Sequence, residues 1–298
     1  IDIISSYQLA GSNDDELKKR IALEACPGFG SCGGMFTYNT MQTFISVLGM
    51  EPLHMVSPAS EDQIRLNSFP DQLIDYLSNM IRNNITPRDI VTRDSIRNAL
   101  FVSMAVGGST NVMLHAPELA RAAGYNDFSK DIINPEEFNH LSEKVIPVIV
   151  NARPFGEYSM VDIDSKGGIQ VVVKELLNAG LLNGSTITCT GQTLEEQIHH
   201  LNPPEPDEEV IYRVKNPFKA TGGLRVLGGN LSPEFSAVLK LAGVEGGLES
   251  NIFRGKARVF DGESKLLIAL ENEPDSFCNQ DMVVVRYEGP VGGPGMPE

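Results

Sequence analysis

Apolar and polar positions follow two rhythms along the chain, and the rhythm changes once. Residues 14–25, "DDELKKRIALEA", carry acids first and bases later, the order the helix dipole favours, and read as a short helix. In "MFTYNTMQTFISVLGM" the apolar spacing fits a buried helix that ends near Gly49. Helical spacing continues through "SEDQIRLNSFPDQLIDYLSNMIRN". It resumes in "TPRDIVTRDSIRNALFVSMAVGG", opened by Thr92 to Ser95 and closed at Gly107-Gly108. "STNVMLHAPELARAAG" follows with Ser109 or Thr110 as its expected N-cap. "GGIQVVVKELLNAGLLNG" and "TLEEQIHHL" complete a mostly helical first part.

At "NPPEPDEEVIYRVKNPFKATGG" the prolines and acids break the pattern, so residues 202–220 are the expected linker between parts 1–201 and 221–298. Beyond it, "LRVLGGNL", "KARVF" and "DMVVVRYEG" read as strands, with short helices expected at "PEFSAVLKLAG" and "ESKLLIALEN". The expected fold class is α/β, a helix-rich part followed by a strand-rich one.

Composition narrows the function. The 298 residues hold 24 Lys plus Arg against 39 Asp plus Glu, a formal charge of -15. Phosphate backbones and anionic membranes are repelled by that balance, so nucleic acid and membrane are excluded as partners. A small anionic substrate is not excluded, since it needs only a local positive site or a metal. No apolar run approaches the roughly 20 residues that span a bilayer. Four cysteines, Cys26, Cys32, Cys189 and Cys278, are too scattered for a secreted disulfide framework, which points to a reducing, intracellular setting. A start at Ile1 without a leader and a finish inside "VGGPGMPE" suggest an internal piece of a longer protein.

The candidate chemistry lies in Cys26–Phe36, "CPGFGSCGGMF". Gly28, Gly30 and Gly33 spell the G-x-G-x-x-G dinucleotide fingerprint, but the preceding segment is helical, and a Rossmann loop must follow a strand. The alternative is Cys32 as a thiolate ligand among Gly28, Gly30, Gly33 and Gly34, where missing side chains admit a bulky inorganic group. Against that stands a small buried thiol that simply packs. One thiolate cannot hold an iron–sulfur centre, and Cys26 is open to packing or ligation. Elsewhere, the five histidines show no metal-ligand spacing, and His199-His200 reads as a solvated face. "MVDID" (Met160 to Asp164) reads as a surface turn in preference to a metal site, and Cys189 and Cys278 as buried thiols.

"GSCGGMFTYNTM" resembles the cysteine loop of the dihydroxy-acid and sugar-acid dehydratase family, which also includes phosphogluconate dehydratases. "VGGSTNVMLHAPELARAAG", "GGIQVVVKELLNAGLLNGSTITCTGQTLEE", "TGGLRVLGGNLSPE" and "GPVGGPGMPE" resemble further family segments in the same order. The loop departs from the pattern at Phe29, where many relatives carry another cysteine.

The resemblance implies a hydro-lyase that removes water from a 2,3-dihydroxy carboxylate to give a 2-keto acid. It implies an iron–sulfur cluster, 2Fe-2S ahead of 4Fe-4S, and Mg2+. Cys32 matches the third cluster cysteine and Glu298 a magnesium ligand. The remaining ligands are expected upstream and the serine base downstream, so no catalytic base is assigned here. Ser109, Thr110, Asn111 and Thr37 match positions near the active site, where binding substrate competes with helix capping or packing; Asn39 shares the second ambiguity. A homodimer with an α/β first domain and a β-barrel second domain, both incomplete in this chain, is implied. The leading substrate is the branched-chain dihydroxy acid of amino-acid biosynthesis; alternatives are a sugar acid or a non-catalytic homologue. A bacterial protein of this kind is expected in the cytoplasm, and a eukaryotic one in an organelle.

Overall fold

A computed structural model describes residues 13–25, 32–56, 63–240 and 254–287. Cys26, Gly28, Phe29, Gly30 and Glu298 lie outside the described residues. The chain divides into two compact units, 1–243 and 244–298.

In the first unit, α1 (Asp15–Glu24) opens with Asp14, whose carboxylate accepts from Leu17 N at 3.0 Å. Helix α2 (Thr37–Leu48) follows the cysteine loop and ends at Gly49, left-handed at φ 98, as the pattern predicts. A long helix α3 (Gln63–Arg82) precedes a short turn of helix, α4 (Pro87–Ile90), and then α5 (Arg93–Ala105). The predicted start of α5 is right: Thr92 Oγ1 accepts from Ser95 N at 3.2 Å, and Ser95 Oγ accepts from Thr92 N at 2.9 Å. Gly107, at φ 64, ends it.

Helix α5 is the spine of the core, with Ile96, Ala99, Val102, Met104 and Ala105 fully buried and α2 packed along it. After α6 (Val112–Ala122) come α7 (Phe128–Asp131), α8 (Pro135–Lys144), α9 (Met160–Ser165), α10 (Ile169–Asn178) and α11 (Leu194–Leu201). Sequence reading passed over α8, although Asn134 as N-cap, Pro135 and two glutamates announce it. "MVDID" is the helix α9, not an extended turn. Its Asp162 closes a capping box with Ser159, and Asp164 pairs with Arg65 at 2.7 Å, so both carboxylates have structural partners.

Residues 202–220 lie within the first unit. Ile211 bridges to Val150 and Lys219 to Val148, and the Asp207 carboxylate gathers the N–H groups of Val210 and Ile211. Strand β1 (Leu224–Gly229) then pairs antiparallel with β2 (Ser232–Lys240) and packs against α8. The expected helix at "PEFSAVLKLAG" is thus a strand as far as Lys240. A tight return after Gly229 offers that segment the open edge of β1, and edge pairing overrides its modest helical spacing.

In the second unit, β3 (Lys256–Asp261), α12 (Glu263–Asn272) and β4 (Asp281–Arg286) form a β–α–β unit with the strands parallel. The fold is mixed α and β, as expected. Among the described residues the strands make two two-stranded sheets, with no closed barrel, and no helix is long and apolar enough to cross a membrane.

Candidate functional site

The site is built where the cysteine loop enters α2. Four bonds pin the stretch from Cys32 to Met35. Asn39 Nδ2 donates to the carbonyls of Cys32 (2.9 Å) and Gly34 (2.7 Å). Met160 N donates to Gly33 O at 2.9 Å, and Met35 N to Arg153 O at 2.7 Å. A methyl group on Gly34 would lie 2.9 Å from that Arg153 oxygen, so this close approach needs glycine. Cys32 itself is half-buried with a free thiol.

Helix α2 begins at Thr37 with Phe36 as N-cap and no side-chain cap, so its positive end faces the loop. Across from it lies the turn that follows Gly108. Ser109 N donates to Thr40 Oγ1 at 2.9 Å, which docks the turn on α2. Ser109 Oγ then lies 3.2 Å from Thr37 Oγ1, and Asn111 Nδ2 donates to Thr37 Oγ1 at 2.7 Å. Asn111 N also donates to Ser109 Oγ at 3.3 Å. Three predicted residues, Thr37, Ser109 and Asn111, are therefore bonded together at the start of α2, and the Cys32 carbonyl is held by Asn39 of the same helical turn. Thr110, between them, gives its carbonyl to Met113 N at 2.9 Å.

The capping expectation at Ser109 or Thr110 is corrected: the N-cap of α6 is Asn111, and its side chain turns to Thr37 instead. Thr40, fully buried, is a part of the arrangement that sequence reading missed. The i, i+3 spacing of Thr37 and Thr40 on one helix face was the available signal.

The donor inventory of this cluster has a chemical consequence. A hydroxyl donates one hydrogen and accepts at two lone pairs. If Thr37 donates to Ser109, the Ser109 oxygen accepts twice, from Thr37 and Asn111 N, and its own hydrogen is left over. If Ser109 donates to Thr37, the Thr37 oxygen accepts twice and its hydrogen is left over. Either way, one hydroxyl hydrogen is left over by the bonds of this cluster, at the exposed Thr37 or at the largely buried Ser109.

The other described thiols are placed elsewhere. Cys189 N donates to Gly49 O at 2.7 Å, at the far end of α2. Twelve helical residues separate that end from Thr37, about 18 Å at 1.5 Å per residue. Burial, with Glu51 adding to it, pushes the Cys189 thiol up to about 11. Cys189 is buried as expected, whereas Cys278 is exposed, a correction to its reading as a buried thiol, because it sits in the loop leading into β4. His199 and His200 are exposed, as expected. Burial lowers the His54 pKa, and its ring bonds to Gln72 at 2.6 Å rather than joining other ligands. Among the described residues no three His, Cys, Asp or Glu side chains converge as a metal site. Cys32 is one soft donor, whereas an iron–sulfur centre takes about four ligands.

Comparison with known proteins bears on the same loop and turn. A sequence model described as Dihydroxy-acid/6-phosphogluconate dehydratase N-terminal matches residues 3–197, and its C-terminal counterpart matches residues 209–298. A dihydroxy-acid dehydratase of Nocardioides sp. is 43% identical over 303 residues, covering 100% of this chain and 51% of the relative. One from Mycobacterium leprae is 41% identical with the same coverage. Another from Arthrobacter sp. is 42% identical over 279 residues, covering 94% of this chain and 46% of the relative. The chain spans about half the length of the curated relatives it matches. On sequence and along nearly its whole extent, the chain belongs to the dihydroxy-acid/6-phosphogluconate dehydratase family.

Proposed function

We propose that the whole protein is a hydro-lyase that converts a 2,3-dihydroxy carboxylate to a 2-keto acid, with the branched-chain dihydroxy acid as its substrate. The observation that carries this reading is the meeting of the Cys32 loop with the Ser109–Asn111 turn across the start of α2. Two sequence segments with separate family resemblance converge there in space. The names of the relatives favour the branched-chain acid over a sugar acid.

In this reading Cys32 supplies one thiolate to an iron–sulfur cluster, and Glu298 supplies a carboxylate to Mg2+. Soft sulfur suits iron and hard oxygen suits magnesium. When bound, these centres supply Lewis acidity, which helps hydroxide leave and spreads the charge of the substrate carboxylate. The chain's own contribution is orientation. The remaining hydroxyl hydrogen of the Thr37–Ser109 pair holds a substrate oxygen, while Asn111 keeps Thr37 Oγ1 in place. The uncapped start of α2 adds a positive field where an anionic substrate must sit on a chain of charge -15.

The test is to purify the full-length enzyme anaerobically and assay it on 2,3-dihydroxyisovalerate beside a panel of aldonates. Preferred turnover of the branched substrate is expected. Turnover confined to aldonates would replace the substrate, and no dehydration of either class would remove the reading.

A further inference from the structure

We propose that Asn39 is a positioning residue that fixes the direction of the Cys32 sulfur by clamping the main chain on both sides of Gly33. The inference rests on the reading of Cys32 as an iron ligand. Asn39 is 2% exposed and sits in the first turn of α2, with its amide turned back onto the loop. Its nitrogen donates to two carbonyls, Cys32 O at 2.9 Å and Gly34 O at 2.7 Å.

The clamp matters because of what it holds. Gly33 and Gly34 follow the cysteine directly, and glycine leaves the backbone the widest choice of conformations. Among the described residues, the bond to Gly33 comes from Met160 and that from Met35 goes to Arg153, while the bond to Cys32 comes from Asn39. A metal ligand needs its donor atom held in place, and the groups behind the ligand do that holding. An amide suits the task since it carries two hydrogens on one atom. A carboxylate of the same shape carries none, and a serine hydroxyl carries one on a shorter arm.

The experiment compares full-length wild type with Asn39→Ala and Cys32→Ala. In the cluster-free form, alkylation by iodoacetamide is followed at each cysteine by peptide mass spectrometry. Losing one buried and one part-buried hydrogen bond should speed modification of Cys32 on the order of tenfold. The rate at Cys189, at the far end of α2, should stay unchanged. In the cluster-loaded form, Asn39→Ala should keep its iron and change the circular dichroism and electron paramagnetic resonance of the cluster. An unchanged Cys32 rate with an unchanged spectrum would overturn the assignment. So would equal acceleration at Cys32 and Cys189, which marks general loosening. Should Asn39→Ala fail to fold, Asn39→Gln serves, since its longer arm displaces the amide at nearly the original volume; wild-type rate and spectrum there would again overturn the clamp. Iron retained in full by Cys32→Ala would remove the ligand reading instead, leaving the alkylation rates to judge the clamp.

Discussion

At the scale of single residues, two cysteines near opposite ends of α2 differ in burial. Cys32 is half-buried among glycines at the start of α2, and Cys189 is buried at its end. Burial raises the Cys189 thiol from 9.0 to about 11. Below pH 9 the thiol is neutral whether the chain is folded or unfolded, and it has no effect on stability. Between pH 9 and 11 the unfolded chain gives up a proton that the folded chain keeps, so unfolding becomes easier as pH rises. The cost reaches about 2–3 kcal/mol by the upper end of that range. Denaturant titrations of wild type and Cys189→Ala across it should show the wild type losing stability more steeply, and parallel curves would refute the shift. Thr37 makes a second case. Removing its hydroxyl with Thr37→Val should lower kcat/KM of the full-length enzyme about 10- to 100-fold, the worth of one hydrogen bond to a charged group. Because Thr37 is exposed, the melting temperature should move little. A drop in melting temperature at unchanged kcat/KM would mark Thr37 as packing only.

At the scale of elements, the site depends on how closely the end of α5 approaches α2. A Cβ on Gly108 would lie 2.8 Å from the Thr40 methyl and 3.0 Å from Ser103 O. Thr40 is fully buried and its hydroxyl holds Ser109 N, so it has little room to retreat. Gly108→Ala should therefore destabilise by about 1–3 kcal/mol, as overpacking of a filled core does. It should also loosen the Thr37–Ser109–Asn111 cluster. Calorimetry checks the first effect, and a wild-type melting temperature would show that α2 and α5 can separate at no cost.

At the scale of the whole molecule, the described site contributes one thiol, and Cys189, the other described thiol of the same unit, is bonded at the far end of α2, a helix about 18 Å long. Reconstituted anaerobically with iron and sulfide, these 298 residues alone should bind well under one cluster per chain. Stoichiometric iron with the visible spectrum of an assembled cluster would show that the chain carries a complete ligand set.

The amino-acid order determined most elements outright, because their signals are local. Thr92 with Ser95 starts α5, Gly49 and Gly107 end α2 and α5, and Glu263–Asn272 is helical where the pattern places it. Cys32, Thr37, Ser109 and Asn111 were also legible one by one, as residue types in recognisable segments. The tertiary structure alone decided which of them meet. Seventy-two positions separate Thr37 from Ser109, and no periodicity encodes a bond across that span. It also decided that Asn111 stands at the N-cap position of α6 with its side chain turned to Thr37, and that Ser232–Lys240 is a strand. In both places a partner from outside the segment, the Thr37 hydroxyl in one and the edge of β1 in the other, outweighs a local preference, about 1 kcal/mol for a helix cap and a few tenths of a kcal/mol per residue for helix propensity.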